Sequence, residues 1–528
     1  MSARTLGRLL ALYVVLLLAV ALSFDMFWSL GPITPVVVTS RYENGVRAVR
    51  DGTGEVQETA VAEGPLSLRP LMFALGLVPG RDGVRAELDG KTAWATPDDL
   101  YARGAYDAAY PIAGGDIRWG TRLDLVLAIL AEQLAVPPSE VASRARLRRV
   151  RFERRSAPLV LTNELVRTRI AEAATHLARA LGPDGRFRYL VDAPSNRSLG
   201  GYNWPRHSGA TFFLAQAAGF LDDPFVRAAA LRAAARLRDA TMRDCGPERC
   251  IAGDEAPVAD IGSSSLALVA FTEIVRTHAD DGYRKAIVEL ASFLRSQQRA
   301  DGEMLHFYDR PGKRPIDHPA LYYTGEATLA LARAHAITGN PADLAAAERA
   351  LRFLSGAGWS FFGSLYYYGE EHWTCQAVAE LWTRSPNREA LDFCARWHGY
   401  QRRLQQGPDD SPFDGDGSFN FGPIASPRVT PASSRGEAAG ALLDVLVTEQ
   451  RAGRPAPDLA AVDDELRRAL AFVIRQQLSP GPAYLFRDPV AVRGAVPGSP
   501  VDPTLRIDYA QHAGSMMIRW LEVNRRRE

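Results

Sequence analysis

Ionisable and aromatic side chains stand at the entrance of one apolar segment after another in this 528-residue chain: Arg206 and His207; Asp260; Tyr322, Tyr323 and Glu326; Glu371, His372 and Trp373; Arg435 and Glu437; Asp508, Tyr509 and His512. Carboxyls such as Glu326, Glu371, Glu437 and Asp260 suit glycosyl chemistry, which takes two of them flanking one bond, one as proton donor and one as base or nucleophile. His207 and His372, with His512, titrate near neutrality and suit a proton shuttle. Arg206 and Arg435 suit bidentate grip on a carboxylate or phosphate. Tyr322, Tyr323, Trp373 and Tyr509 would line the substrate, and Tyr366, Tyr367 and Tyr368 with Tyr202 and Trp204 would add a platform for sugar rings. Each residue also has a structural reading: Glu326 lies one turn into its helix and complements the dipole, a buried histidine satisfies its own hydrogen bonds, and the arginines pair with Asp260 or Glu437.

These residues work together only if the elements carrying them converge. Two kinds of helix alternate after Ser156. One kind is amphipathic, with stripes such as Leu165, Ile170, Ala173, Leu177 and Ile287, Leu290, Ala291, Leu294. The other is apolar or small nearly all round: RHSGATFFLAQAAGF from Arg206, IGSSSLALVAFTEIV from Ile261, YYTGEATLALARAHAITG from Tyr322, EHWTCQAVAELW from Glu371, SRGEAAGALLDVLV from Ser434 and YAQHAGSMMIRWL from Tyr509. A helix lacking a broad polar face must be surrounded by protein. Six such helices, each preceded by an amphipathic one at a spacing of roughly 50 to 75 residues, make an internal repeat of helical hairpins. Closing the repeat into a ring gives every buried helix two neighbours and an outer cover; an open solenoid would expose Phe212, Phe213, Leu266 and Phe271, so closure is expected. Asp-Gly turns at Asp184, Asp301 and Asp416, and glutamine pairs at Gln297-Gln298 and Gln476-Gln477, recur between the helices.

From about Leu161 to Trp520 the chain resembles the α/α-toroid group that includes the six-hairpin glycosidases and the acylglucosamine epimerases. The resemblance rests on the inner-helix openings, above all YYTGEATLALARAHAITGN from Tyr322, and on the QQRADGEM turn from Gln297. It implies a mainly α fold, an (α/α)6 toroid of six helical hairpins with the site at the mouth. The acidic cluster with which terpene cyclases of the same architecture protonate an alkene is absent at the helix starts.

The expected domains are a signal anchor or signal peptide over residues 1–30, a small α+β module over 31–156 and the toroid over 157–528. Residues Leu9 to Ser23 form an uncharged apolar run behind Arg4 and Arg8, extended by Phe24, Phe27 and Trp28, which favours an uncleaved anchor over a cleaved signal and puts the rest of the chain outside the cytoplasm. Four cysteines fall in two local pairs: Cys245 with Cys250 suits a loop disulfide, and Cys375 with Cys394 is read as a bridge or as two buried thiols. Neither pair has zinc-site spacing, and Asp409, Asp410, Asp414 and Asp416 lack an EF-hand pattern, so no metal and no cofactor is expected. Lys plus Arg at 62 against Asp plus Glu at 61 leaves a net charge of +1, which supplies no field for nucleic acid. The functional expectation is a membrane-anchored or secreted carbohydrate-active enzyme, a hydrolase, lyase or epimerase of envelope or capsular glycan. A non-catalytic glycan- or peptidoglycan-binding scaffold and an isoprenoid- or peptide-modifying enzyme stay open beside it.

Overall fold

The computed structural model describes residues 13–15, 29–39, 41–43, 46–48, 57–106, 112–113, 116–117, 120–153, 159–253, 255–356, 371–408, 415–419, 427–456, 458–479 and 486–528. The expected membrane segment lies almost wholly outside these residues, as do Tyr366, Tyr367, Tyr368, Asp409, Asp410 and Asp414. Among the described residues no single helix is long and apolar enough to cross a membrane. The chain divides into two compact units, one of residues 1–156 with 484–487 and 501–503, the other of the remainder.

The first unit is built on an antiparallel sheet of β1 (Gly31–Thr39), β2 (Gln57–Pro65), β3 (Asp82–Leu88), β4 (Lys91–Ala95) and β5 (Arg146–Glu153), in the spatial order β1-β2-β5-β3-β4. Asp89 and Gly90 both take positive φ, 49° and 77°, which is what a two-residue turn between β3 and β4 requires. Alternation in β3 buries Val84, Ala86 and Leu88 on one face. The basic run on β5 is partly neutralised within the sheet, because the fully buried Asp82 carboxylate lies 2.5 Å from Arg151 Nε. A helix over Leu123–Leu134 completes the α+β character.

The second unit is helical. Its helices are α1 (Asn163–Arg179), α2 (Trp204–Leu221), α3 (Pro224–Thr241), α4 (Ile261–His278), α5 (Arg284–Ser296), α6 (Tyr323–Thr338), α7 (Pro341–Ser355), α8 (Glu371–Leu381), α9 (Arg388–Gln401), α10 (Val429–Arg451), α11 (Leu459–Gln476) and α12 (Ile507–Arg527). The even-numbered helices are the apolar kind, and each packs on the next, α2 on α4, α4 on α6, α6 on α8, α8 on α10 and α10 on α12. Helix α12 then packs back on α2. The inner ring is therefore closed, and each odd-numbered helix covers it from outside. Small residues permit the closing contact: a Cβ on Gly514 would stand 2.1 Å from the Phe213 ring.

The Asp-Gly turns close an outer ring as well. Gly185, Gly302 and Gly417 all have positive φ, and a Cβ on each would meet a backbone oxygen of the following outer helix: Arg232 O on α3 at 2.7 Å, Arg349 O on α7 at 2.3 Å and Arg468 O on α11 at 2.0 Å. Gly494 repeats this against Glu172 O on α1, at 2.2 Å. Glutamine amides hold three of the four turns. Gln298 Nε2 donates to Gly302 O and Ala346 O, Gln405 Nε2 to Gly417 O and Glu465 O, and Gln477 Nε2 to Gly494 O and Arg169 O, all within 3.2 Å. Each of these three turns thus carries one side-chain amide shared between its own carbonyl and the next outer helix.

Near the C-terminal ends of the inner helices the axis is filled by charge. Arg333 of α6 lies 2.6 Å from Glu273 of α4 and 3.5 Å from Glu380 of α8, with its guanidinium 4.9 Å from the Phe212 ring centroid of α2. The groups left to face an opening are those at the inner-helix N-termini.

Candidate active site

Three side chains from three inner helices meet at that end. His372 lies in the first turn of α8, Glu437 in the third turn of α10 and His512 in the second turn of α12. His372 Nε2 is 2.8 Å and His512 Nδ1 2.7 Å from the same oxygen, Glu437 Oε2. The two imidazole rings are 5.0 Å apart at 65°, and Trp373 stacks beside His372 at 4.0 Å. Burial alone would raise the Glu437 carboxyl; attraction to His512 and His372 and their hydrogen bonds outweigh it and hold the group below the usual carboxylate range. Side-chain exposure is 2% for Glu437, 3% for His372 and 14% for His512, so His512 faces the opening most.

Beside His512 stands a second cluster. Asp508, one turn earlier on α12, receives Arg506 Nε at 2.5 Å and Arg206 Nε at 3.3 Å. Arg206 also donates to the Tyr189 hydroxyl at 2.8 Å and keeps 38% of its side chain exposed. Burial opposes ionisation of Asp508, but the two guanidiniums hold its carboxyl low. A third cluster joins α4 and α6. Asp260 caps α4, accepting from Ser263 N at 2.7 Å and Ser263 Oγ at 2.8 Å, and takes the Tyr323 hydroxyl as well. Burial pushes both Asp260 and Tyr323 upward, so the phenol stays protonated. Glu326 is 5% exposed, and its Oε2 would lie 2.7 Å from a Cβ placed on Gly262, which is why α4 has glycine there. Tyr322, at the N-cap of α6, has φ of 72°, a left-handed conformation that costs an L residue about 1 kcal/mol.

Several expected site residues have other tasks. His207 points away from the opening: it is fully buried, with Nδ1 2.6 Å from the Tyr202 hydroxyl and Nε2 3.2 Å from Ala233 O on α3, and burial lowers it to about 4. Arg435 is buried against Phe419 and donates to Pro431 O, so its guanidinium supports the first turn of α10. Tyr509 is buried, with its hydroxyl on Arg428 and Arg506 above its ring. Glu371 opens α8, and its side chain, like Glu370, is outside the described residues. Sequence reasoning did not place Arg506 or Tyr189 at the site; Arg506 ends the strand before α12, and Tyr189 follows the Asp184-Gly185 turn just ahead of a strand. It also started α10 at Ser434, whereas the helix begins at Val429; Pro431 is tolerated there because a first-turn residue needs no amide donor.

No protein-family model and no curated protein matches the sequence. Solved structures do match: a D-mannose isomerase at TM-score 0.53 and 13% identity over 69% of this chain and 100% of that one, and the cellobiose 2-epimerase of Bacillus thermoamylovorans at 0.52 and 9% over 68% and 98%. The cellobiose 2-epimerase of Spirochaeta thermophila follows at 0.51 and 12% over 70% and 100%. The second unit is a six-hairpin α/α toroid. In this toroid the three clusters are gathered by helix order: α8, α10 and α12 bring the imidazoles and Glu437, α2 and α12 the arginine–aspartate group, and α4 and α6 the tyrosine–carboxyl group.

Proposed function

We propose that the chain is a sugar isomerase or epimerase that moves a proton at the carbon next to a carbonyl, with His372 and His512 as the acid–base pair. The observation carrying this reading is the single Glu437 oxygen shared by both imidazoles. The shared carboxylate, held low by both rings, orients two imidazoles side by side, a pair of a residue type suited to serve as general acid and general base. Each ring turns one nitrogen to Glu437, and His512, the more exposed of the two, presents its Nε2 side to a substrate. One ring takes the proton from carbon and an enediolate forms; a proton then returns either to the opposite face of the same carbon, giving the epimer, or to the adjacent carbon while the hydroxyl proton passes between the two oxygens, giving the isomer. Arg206, half exposed and fixed by Asp508 and Tyr189, holds substrate oxygens, and Trp373 supplies an apolar wall.

The neighbours named as an isomerase and as epimerases support proton transfer rather than the hydrolysis or lysis also considered. Two disulfides, Cys245–Cys250 and Cys375–Cys394, support the location we propose, outside the cytoplasm. The test is incubation of the full chain with mannose, fructose and cellobiose in D2O, read by NMR. Deuterium entering at C2, lost in His512→Gln, is expected. New reducing ends without solvent exchange would overturn the reading in favour of hydrolysis.

A further inference from the structure

We infer that His372, Glu437 and His512 also form a zinc site, and that zinc bound there switches off the proton-transfer pair; the switching clause rests on the function proposed above. Their three ligand atoms all lie within 4.8 Å of one another. Two imidazole nitrogens and one carboxylate oxygen, converging from three rigid helices, match a zinc ligand set with a fourth position open. A second observation points the same way. Glu437 Oε1 is buried, and no donor among the described residues reaches it, so the carboxylate has lone pairs in excess of its two imidazole partners. A cation held by both carboxylate oxygens would satisfy Oε1 while Oε2 turns from the imidazole N–H groups to the metal.

The two edges to Glu437 need little adjustment, and the imidazole–imidazole edge, within 4.8 Å, has to close toward the same value. Zinc–ligand bonds of about 2.0–2.1 Å in a tetrahedron separate ligand atoms by about 3.3 Å, against the present 2.8 and 2.7 Å to Glu437 Oε2. An opening of about half an ångström replaces two hydrogen bonds with a metal. Zinc and proton transfer are mutually exclusive. An imidazole that lends one nitrogen to zinc carries its proton on the other and accepts no more, so His372 Nδ1 and His512 Nε2 cease to be bases.

The experiment uses the full chain stripped with EDTA, then titrated with Zn2+ and, for spectroscopy, Co2+, without substrate. The expected result is one zinc per chain by elemental analysis, a four-coordinate Co2+ absorption band, and at least tenfold weaker binding in His512→Gln and in Glu437→Gln. His512 is part exposed, so unchanged melting of its metal-free variant shows the fold intact. Solvent deuterium exchange should fall in proportion to zinc bound and recover with EDTA. Absence of stoichiometric zinc, a preference for iron, or binding by both variants as tight as by the unaltered chain overturns the site. Exchange that rises with zinc overturns the switch, and so does a zinc-binding chain that exchanges nothing in either state, which would also overturn the proposed function while leaving the metal measurement standing.

Discussion

Gln477 donates its side-chain amide to the carbonyl of Arg169, 308 residues earlier in the chain, at 3.0 Å. The same amide holds Gly494 O, so one glutamine fastens the last outer helix connection to the first outer helix. Gly494 has φ of 83°, and a Cβ there would meet Glu172 O at 2.2 Å. Replacing it with alanine combines backbone strain with a backbone clash and should cost about 2–4 kcal/mol. Gly90, with φ of 77° and open space around it, is the control and should lose about 1–2 kcal/mol. Equal melting of the two variants would show that the outer ring does not depend on this seat.

Removing the shared carboxylate should cost both imidazoles their orientation. Glu437→Gln is expected to slow solvent exchange at the substrate carbon by about 10²–10⁴-fold, the range for a lost acid–base group. His207→Gln, away from the opening, should leave the rate within threefold. A reversal of the two effects would move the chemistry to the α2–α3 side of the ring.

Acid should destabilise the protein through histidines as well as carboxylates. Burial lowers His207, His306 and His176 to about 4, from 6.5 in the unfolded chain. Between these values the unfolded state binds more protons, so stability is greatest above pH 6.5 and falls as the pH drops toward 4. Glu437 acts in the other window: its depressed carboxyl stabilises the fold above the ordinary carboxylate range and loses that contribution as pH falls through its lowered value. Denaturation followed from pH 7 to 4 should show the slope reduced in His207→Gln by on the order of 2–3 kcal/mol across the window. An unchanged slope would mean that His207 is protonated in the fold.

Cys375 lies one turn beyond His372, and its disulfide to Cys394 fastens α8 to α9. Closing a loop of this size stabilises by about 3 kcal/mol. The double substitution Cys375→Ser with Cys394→Ser should therefore lower the melting temperature and, by loosening α8, reduce kcat more than it raises KM. Loss of stability with untouched kinetics would separate the bridge from the placement of His372.

The architecture was legible because it is written in local patterns. Alternating wet and dry helices and Asp-Gly turns with positive φ at Gly185, Gly302 and Gly417 each depend on residues a few positions apart. The sequence also marked the inner-helix starts as the place where ionisable groups collect. It left the Cys375–Cys394 pairing open, and it carried Glu326, Glu371, Glu437 and Asp260 as interchangeable carboxyls.

Rotation about helix axes decided what remained. Successive helical residues point about 100° apart, so Arg206 reaches Asp508 near the opening while its neighbour His207 is turned onto α3. Glu437 stands eight residues into α10, about 12 Å along its axis, and so meets His372 and His512 rather than capping its own helix. Residue types and periodicity pointed to a ring with ionisable groups at its inner-helix starts. Azimuth and depth on each helix, fixed only when all six inner helices pack against one another, determined which charges touch and set the Arg333, Glu273 and Glu380 cluster at the other end.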